Sequence, residues 1–305
     1  MRSENWVWVL ALSLIAGCGG DKPQERKGGV EEDPRCLAYT QATCSKMAQC
    51  WPWLLQASYG DIDTCIARSS QLCANVTAAP GTSWTMDKIE ACAQALPNIS
   101  CDSWWNSVAP ECDPGPGALA DGSPCIDKSQ CRGGVCLQGG SGCGVCATVS
   151  PLGGDCTSSA QCVPGAACSA EGKCVMPAVQ GASCSAAQPC GINLRCVDGA
   201  CQPLVAAGGA CDPASFGDCD FFQGLACDPA DSTCKPVALA PAGQQCGAID
   251  GQLTTCGAGS VCSSQGVCLE PLPDGAACSD QSEARCTPPA TCIGGVCTIP
   301  GTTCG

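Results

Sequence analysis

The sequence predicts a small, disulfide-rich protein in two parts: a disulfide-stapled α-helical unit, then an array of six short four-cysteine repeats with little regular secondary structure. Three observations predict it. The chain holds 35 cysteines in 305 residues, above the share at which a protein depends on a disulfide framework. Aromatic residues are only 4%, and nine of the twelve lie before residue 106. One four-cysteine unit is written six times, starting at Cys125, Cys156, Cys184, Cys211, Cys246 and Cys278. Self-similarity at such a period marks a repeat array.

Composition sets the physical limits. So few large apolar side chains cannot offset the conformational entropy of ordering the chain. Covalent cross-links must do so, at about 2–4 kcal/mol each and not additively. Disulfides persist in oxidising compartments, so the cytosol is not expected. A net charge of −14 disfavours nucleic acid as a partner and any purely electrostatic contact with anionic lipid. There is no histidine, which removes histidine bases and histidine-containing metal sites from consideration.

Taken in order, residues 1–17 (MRSENWVWVLALSLIAG) hold an apolar run from Trp6 to Ile15. That is too short to span a membrane and suits a signal-peptide core. The run ends in Leu14-Ile15-Ala16-Gly17-Cys18, which resembles the lipobox of bacterial lipoproteins, although Glu4 offsets Arg2 in the basic region before it. The resemblance implies cleavage after Gly17 and acylation of the Cys18 thiol, so the protein is expected to meet a membrane through an N-terminal lipid. The alternative is an ordinary signal peptide with an unrelated cysteine. Parity favours the lipid, because without Cys18 an even number of cysteines remains to pair. Several acyl chains would hold the protein to the membrane essentially permanently. Gly19 and Gly20, rather than an aspartate, follow Cys18, which within lipoprotein families implies the outer membrane or cell surface. Residues 18–35 are polar and charged and are expected to form a flexible tether with a reach of about 60 Å.

Residues 36–112 are expected to be helical. Asp33-Pro34 is a helix-start signal, and the run Cys36 to Cys50 is rich in helix formers. A second helix is predicted to open at Gly60-Asp61, carrying Ile62, Cys65, Ile66, Leu72 and Cys73 at helical spacing. A third is predicted from about Thr85, with Met86, Ile89, Cys92, Ala93 and Leu96 on one face, and a short fourth around Trp104 and Trp105. Both tyrosines and every tryptophan outside the signal lie here, so the hydrophobic core is expected in this part alone. The matched C-x7-C spacing of the first two helices suggests two antiparallel rungs, Cys36 to Cys73 and Cys44 to Cys65. Asn75 and Asn98 sit in N-glycosylation sequons that are expected to be coincidental.

The linker Asp113-Pro-Gly-Pro-Gly opens residues 113–305, where Gly, Pro, Ser, Ala and Cys dominate and turns with two-residue ladders are expected. Units two and three show the clearest spacing, at Cys156, Cys162, Cys168, Cys174 and at Cys184, Cys190, Cys196, Cys201. A glycine precedes each first cysteine by three residues, and a proline follows most fourth cysteines. Four cysteines allow three pairings per unit; the interleaved one, first to third and second to fourth, is preferred for compactness. Unit one has a surplus cysteine among Cys125, Cys131, Cys136, Cys143 and Cys146, and Cys304 is the other surplus.

This cadence of G-x-x-C…C…C…G-x-C-x-x-P behind a lipobox resembles the Cys-rich repeat lipoproteins of myxobacteria and related predatory or soil bacteria, whose repeats are similar in cadence to the Dickkopf amino-terminal cysteine-rich domain. The resemblance covers about 180 residues, and the GDIDTC stretch at Gly60–Cys65 fits the same class. It implies a secreted or surface protein and transfers no catalytic residue. Signalling roles known for other proteins with that cadence do not follow from it.

No catalytic constellation is visible. There is no G-x-S-x-G, and a triad would lack its base. Asp61 and Asp63 suit helix capping better than acid–base work. Zinc modules need paired C-x2-C knuckles, and only Cys143-Gly-Val-Cys146 has that spacing, so no metal or cofactor is expected. The same pair lacks the βαβ setting of a redox site. Phe216, Phe221 and Phe222 are the array's only aromatics; they form either an exposed contact patch or a small local core. The function expected is therefore non-enzymatic: a surface lipoprotein acting as an extended spacer rod or as an adhesion module for a protein or glycan. A protease inhibitor presenting Arg132, Lys173 or Arg195 is the alternative, and thiolate metal binding the weaker one.

Overall fold

The computed structural model describes residues 33–302 apart from 107, 139–142, 215–216, 250 and 280. The signal peptide, Cys18, most of the tether and Cys304 lie outside the described residues. Five helices come first: α1 (Pro34–Cys50), α2 (Pro52–Tyr59), α3 (Ile62–Ala78), α4 (Met86–Ala95) and α5 (Cys101–Trp105). Their starts follow side-chain caps. Asp33 accepts from the Arg35 amide, Asp61 from Thr64, Thr85 from Lys88 and Ser100 from Ser103, which satisfies amides that have no partner inside the helix. The helix α2 is an addition to the predicted set. Trp51 closes α1 by donating its amide to Met47, and Pro52 then supplies the preset φ of a first helical position.

Helix α1 packs on α3 and α4. Cys36–Cys73 and Cys44–Cys65 bridge α1 to α3 as two rungs, with Cα separations of 5.7 and 6.1 Å. Cys50–Cys101 ties the end of α1 to α5, and Cys92–Cys112 ties α4 to the turn at Pro110–Cys112.

The array is built from one repeated piece of geometry. In each unit the strands holding the third and fourth cysteines pair as an antiparallel hairpin, with those two cysteines directly opposite: Cys168 and Cys174, Cys196 and Cys201, Cys227 and Cys234, Cys262 and Cys268, Cys292 and Cys297. The bridges then run first to third and second to fourth, as in Cys156–Cys168 with Cys162–Cys174 and in Cys184–Cys196 with Cys190–Cys201. Units four to six repeat that order. In unit one the pairs are Cys125–Cys136 and Cys131–Cys146. The glycine three residues before each first cysteine has a positive φ between 79° and 86°, a region costly for any residue with a Cβ. Its amide donates at 2.8 Å to the carbonyl of the last cysteine of the unit's hairpin in all six units, Cys146 in unit one and the fourth cysteine in the others. That single turn docks the start of each unit onto its own hairpin.

The repeats do not extend away as a rod. From Asp33 on, helices and array form one compact unit, and every repeat touches the helical part. Unit one holds the turn after α3, where Ala118 donates to Gly81 at 2.8 Å and Gln130 to Pro80 at 2.9 Å. Gly165 of unit two lies against Val108, and Asn193 of unit three donates to Asp102 at 3.1 Å. Units four and five meet α2. Trp53 Nε1 donates to Val237 at 3.2 Å, and the amides of Ala258 and Gly259 donate to Gln56 and Ala57. Unit six returns to α3, where Arg68 binds the Asp274 carboxylate through two nitrogens (2.6 and 2.8 Å) and also the carbonyls of Pro288 and Thr287. Asn75 donates to Pro300 at 2.7 Å, so the first sequon asparagine is spent on this join.

The reason for the wrapping lies in the helices. Their tryptophans are too many for five short helices to cover. Trp51 is 5% exposed because Phe222 of unit four, itself 3% exposed, lies against it, with Ile192 and Leu204 of unit three alongside. The hydrophobic core is therefore shared with the array, contrary to the expectation that it belongs to residues 36–112 alone.

Candidate functional site

Where α5 meets units two, three and four, an open groove of about 530 Å³ forms. Its aromatic wall is built on one buried ring. Phe222 carries Phe221 at a ring-centroid distance of 3.9 Å and Trp105 edge-on at 5.4 Å. Trp105 also meets Trp51 edge-on at 4.9 Å, while Trp104 stacks on Trp51 at 4.8 Å. The Cys50–Cys101 bridge and the Ser100 cap fix the helix that carries both tryptophans. Trp105 and Phe221 remain 48% and 47% exposed, so the wall is rigid underneath and open on top.

The other wall is polar. Arg195, on the strand Leu194–Val197, pairs with Asp218 at 3.3 Å, and both side chains are largely covered. Asp218 also accepts from the Asp212 amide at 3.0 Å. Asn193 sits at φ 61°, a left-handed position that asparagine tolerates better than most residues; its side chain faces Asp102 and its carbonyl accepts from Leu204. Asn106 completes the rim.

A second hollow of about 580 Å³ abuts the first and shares Asn106, Pro177 and Gly191–Leu194 with it. Its character differs. Val108, Met176 and Val179 line it with exposures of 44%, 53% and 72%.

The residues singled out by sequence divide here. Phe221 is half exposed and lines the groove, whereas Phe222 is buried against Trp51 of the helical part and not in a core local to unit four; Phe216 lies outside the described residues. Arg195 and Lys173 are held in ion pairs with Asp218 and Asp155, and Arg132 is exposed with its guanidinium near the Ala118 carbonyl. Cys146 of the C-x2-C pair is bonded to Cys131, and Cys143 is in a disulfide as well. The two are therefore not a redox pair with each other. Cysteine sulfurs do cluster in threes in the repeats, but those sulfurs are spent in disulfides and are not thiolates. Asp61 caps α3, and its carboxyl is held below the ordinary range by the Thr64 amide.

Asn106, Asn193 and Asp218 were not marked by any sequence pattern, and Trp105 was marked only as part of a short helix. They come from α5 and two separate repeats, and only the return of the array brings them together.

The fold is a disulfide-stapled helical region followed by repeats of short strands with two interleaved bridges each, and a surface hollow lies where they meet. The chain matches no family model, no curated protein and no solved structure. The sixteen disulfides among the described residues suit an oxidising, extracellular or surface environment. No described helix is long and apolar enough to cross a membrane.

Proposed function

We propose that this protein is a non-enzymatic bacterial surface lipoprotein whose folded head binds a ligand in the seam groove. The observation that carries the binding role is the pair of half-exposed rings, Trp105 and Phe221, standing on buried Phe222 beside the Arg195–Asp218 pair. Concave, mostly apolar hollows with a few fixed polar groups are the usual form of ligand sites. Because the array folds back on the helices, the spacer role becomes that of the tether, and the head is the working part.

Anchoring rests on the lipobox at Cys18. Cys143 is disulfide-bonded, and every other described cysteine is paired with a described partner.

Two measurements test the reading. Intact mass of native protein from its own membrane fraction should show loss of residues 1–17 and an acyl adduct on Cys18, with no free thiol. A peptide joining Cys143 to Cys18 would remove the anchor. Retention of the head on immobilised envelope material should be lost in a Trp105→Ala/Phe221→Ala variant that keeps its circular dichroism; unchanged retention would remove the groove.

A further inference from the structure

The two halves of the groove differ in chemistry, and that difference narrows the ligand. We infer that it takes an acylated saccharide: a sugar in the first half and its acyl or alkyl chain in the second. The inference rests on the groove being the ligand site.

The first half offers what a pyranose needs. A sugar ring has apolar C–H faces and a rim of hydroxyls. Trp105 and Phe221 supply flat apolar surface at little entropic cost, because each ring has two side-chain torsions and is already held from beneath. Asn106, Asn193 and the Arg195–Asp218 pair supply amide, guanidinium and carboxylate groups at the rim. The lining is mixed in character, as a hydroxyl-rich ligand requires.

The second half is more apolar, although Asp102, Gln180 and the shared Asn106 and Asn193 also border it. Val108, Met176 and Val179 expose their side chains into a hollow that continues directly from the sugar half across Gly191–Leu194. A bare saccharide would leave this surface in water. A bare hydrocarbon would instead cover Asn106, Asn193 and the Arg195–Asp218 pair, which hold partners within the protein, without adding any hydrogen bond to them. An amphiphile covers the apolar half and keeps the polar half paired. Methionine suits an alkyl chain of variable path, since its side chain is flexible and polarisable.

The test uses n-octyl β-D-glucopyranoside below its micelle concentration, with methyl β-D-glucopyranoside and octan-1-ol as half-ligands. Binding is read by calorimetry and tryptophan fluorescence on the full mature chain. Octyl glucoside should bind at least about tenfold more tightly than either half-ligand, a modest share of what burying eight carbons provides. A Met176→Ser/Val179→Ser variant, altered only at exposed positions, should lose that advantage and leave methyl glucoside unchanged. Phe221→Ala should weaken both glucosides together. Equal binding of the methyl and octyl glucosides would overturn the acyl half, and octanol equal to octyl glucoside would overturn the sugar half. Failure of the octyl glucoside, galactoside and N-acetylglucosaminide to bind at millimolar concentration would overturn the ligand class. In that last case, envelope retention that still depends on Trp105 and Phe221 would leave the groove standing.

Discussion

The helices and the repeats are held together by the same chemistry used at different ranges. Bridges in the helical part span 20 to 51 residues and staple elements that already share an apolar core. Bridges between described cysteines of the array span 11 to 16 residues and close hairpins whose strands are two to five residues long. An isolated hairpin of that size is marginal in water. A helix rung thus reinforces a fold, whereas a repeat bridge creates one. The contrast extends to the joins. Repeats meet helices through side-chain hydrogen bonds and a few backbone ones, and among the described residues only unit four contributes a buried aromatic ring.

Removing cystines gives the largest expected effects and separates the two regimes. A Cys219→Ala/Cys234→Ala variant and a Cys44→Ala/Cys65→Ala variant should each lose roughly 3 kcal/mol in denaturant titration by the chain-entropy estimate. What remains should differ. The first should lose hydrogen-exchange protection throughout the hairpin Leu225–Asp228 with Thr233–Pro236, and the second should keep its helical circular dichroism. Loss of helix in the second variant would erase the distinction.

The Arg68 clamp comes next. It joins α3 to unit six through a bidentate carboxylate and two carbonyls, with the arginine side chain 19% exposed. Arg68→Ala should cost about 2 kcal/mol, in line with charge-assisted hydrogen bonds, and should raise exchange in unit six while leaving unit four unchanged. A uniform change across the array would show that the units do not detach separately.

Two glycines sharpen the comparison at lower energy. Gly208, at φ 80°, has open space around its missing side chain, so Gly208→Ala should cost only backbone strain, about 1 kcal/mol. Gly224, at φ 71°, would place a Cβ 2.1 Å from the Trp53 ring. Gly224→Ala should therefore cost more and should also shift tryptophan emission, because unit four must move off α2. Equal thermal shifts for the two variants would contradict the close packing at that seam.

The smallest effect concerns charge. Asp228 and Asp231 are held below the ordinary carboxylate value of 3.8 by the Lys235 ammonium, which is itself raised above 10.5 by them. The aspartates stabilise the hairpin above the unfolded value, and that contribution fades as pH falls through their lowered folded values. The lysine contribution is complete below 10.5 and fades as pH rises through its raised value. Carboxyl NMR titration should find both aspartates ionising below pH 3.8; ordinary titration would dissolve the cluster.

Much of this was legible in the sequence because its causes are local. Asp33-Pro34, Asp61 and Thr85 announce helices through the chemistry of orphan amides. The invariant step from glycine to first cysteine announces a repeated turn that only a positive φ can make. The array's interleaved bridges were the preferred one of three pairings on grounds of compactness, and the structure shows that pairing. The helix α2 was hidden because Trp51-Pro52-Trp53 looks like an interruption, when the proline in fact begins the new helix. The groove was hidden for a different reason. Trp105, Asn193, Asp218 and Phe221 belong to elements that meet only because the array returns, and that return is driven by tryptophans whose need for cover is not a pattern in sequence. The phenylalanine pair of unit four was the one visible trace, since two large rings cannot both be buried in so small a unit.

The central claim is that the six repeats fold back around the helices to make one head with a groove at the seam. Small-angle X-ray scattering from a chain beginning at Asp33 tests it most directly. A compact unit of that length should give a radius of gyration of roughly 19 Å. A value approaching about twice that compact estimate, with a cross-section profile typical of a rod, would contradict the claim and return the repeats to the role of a spacer.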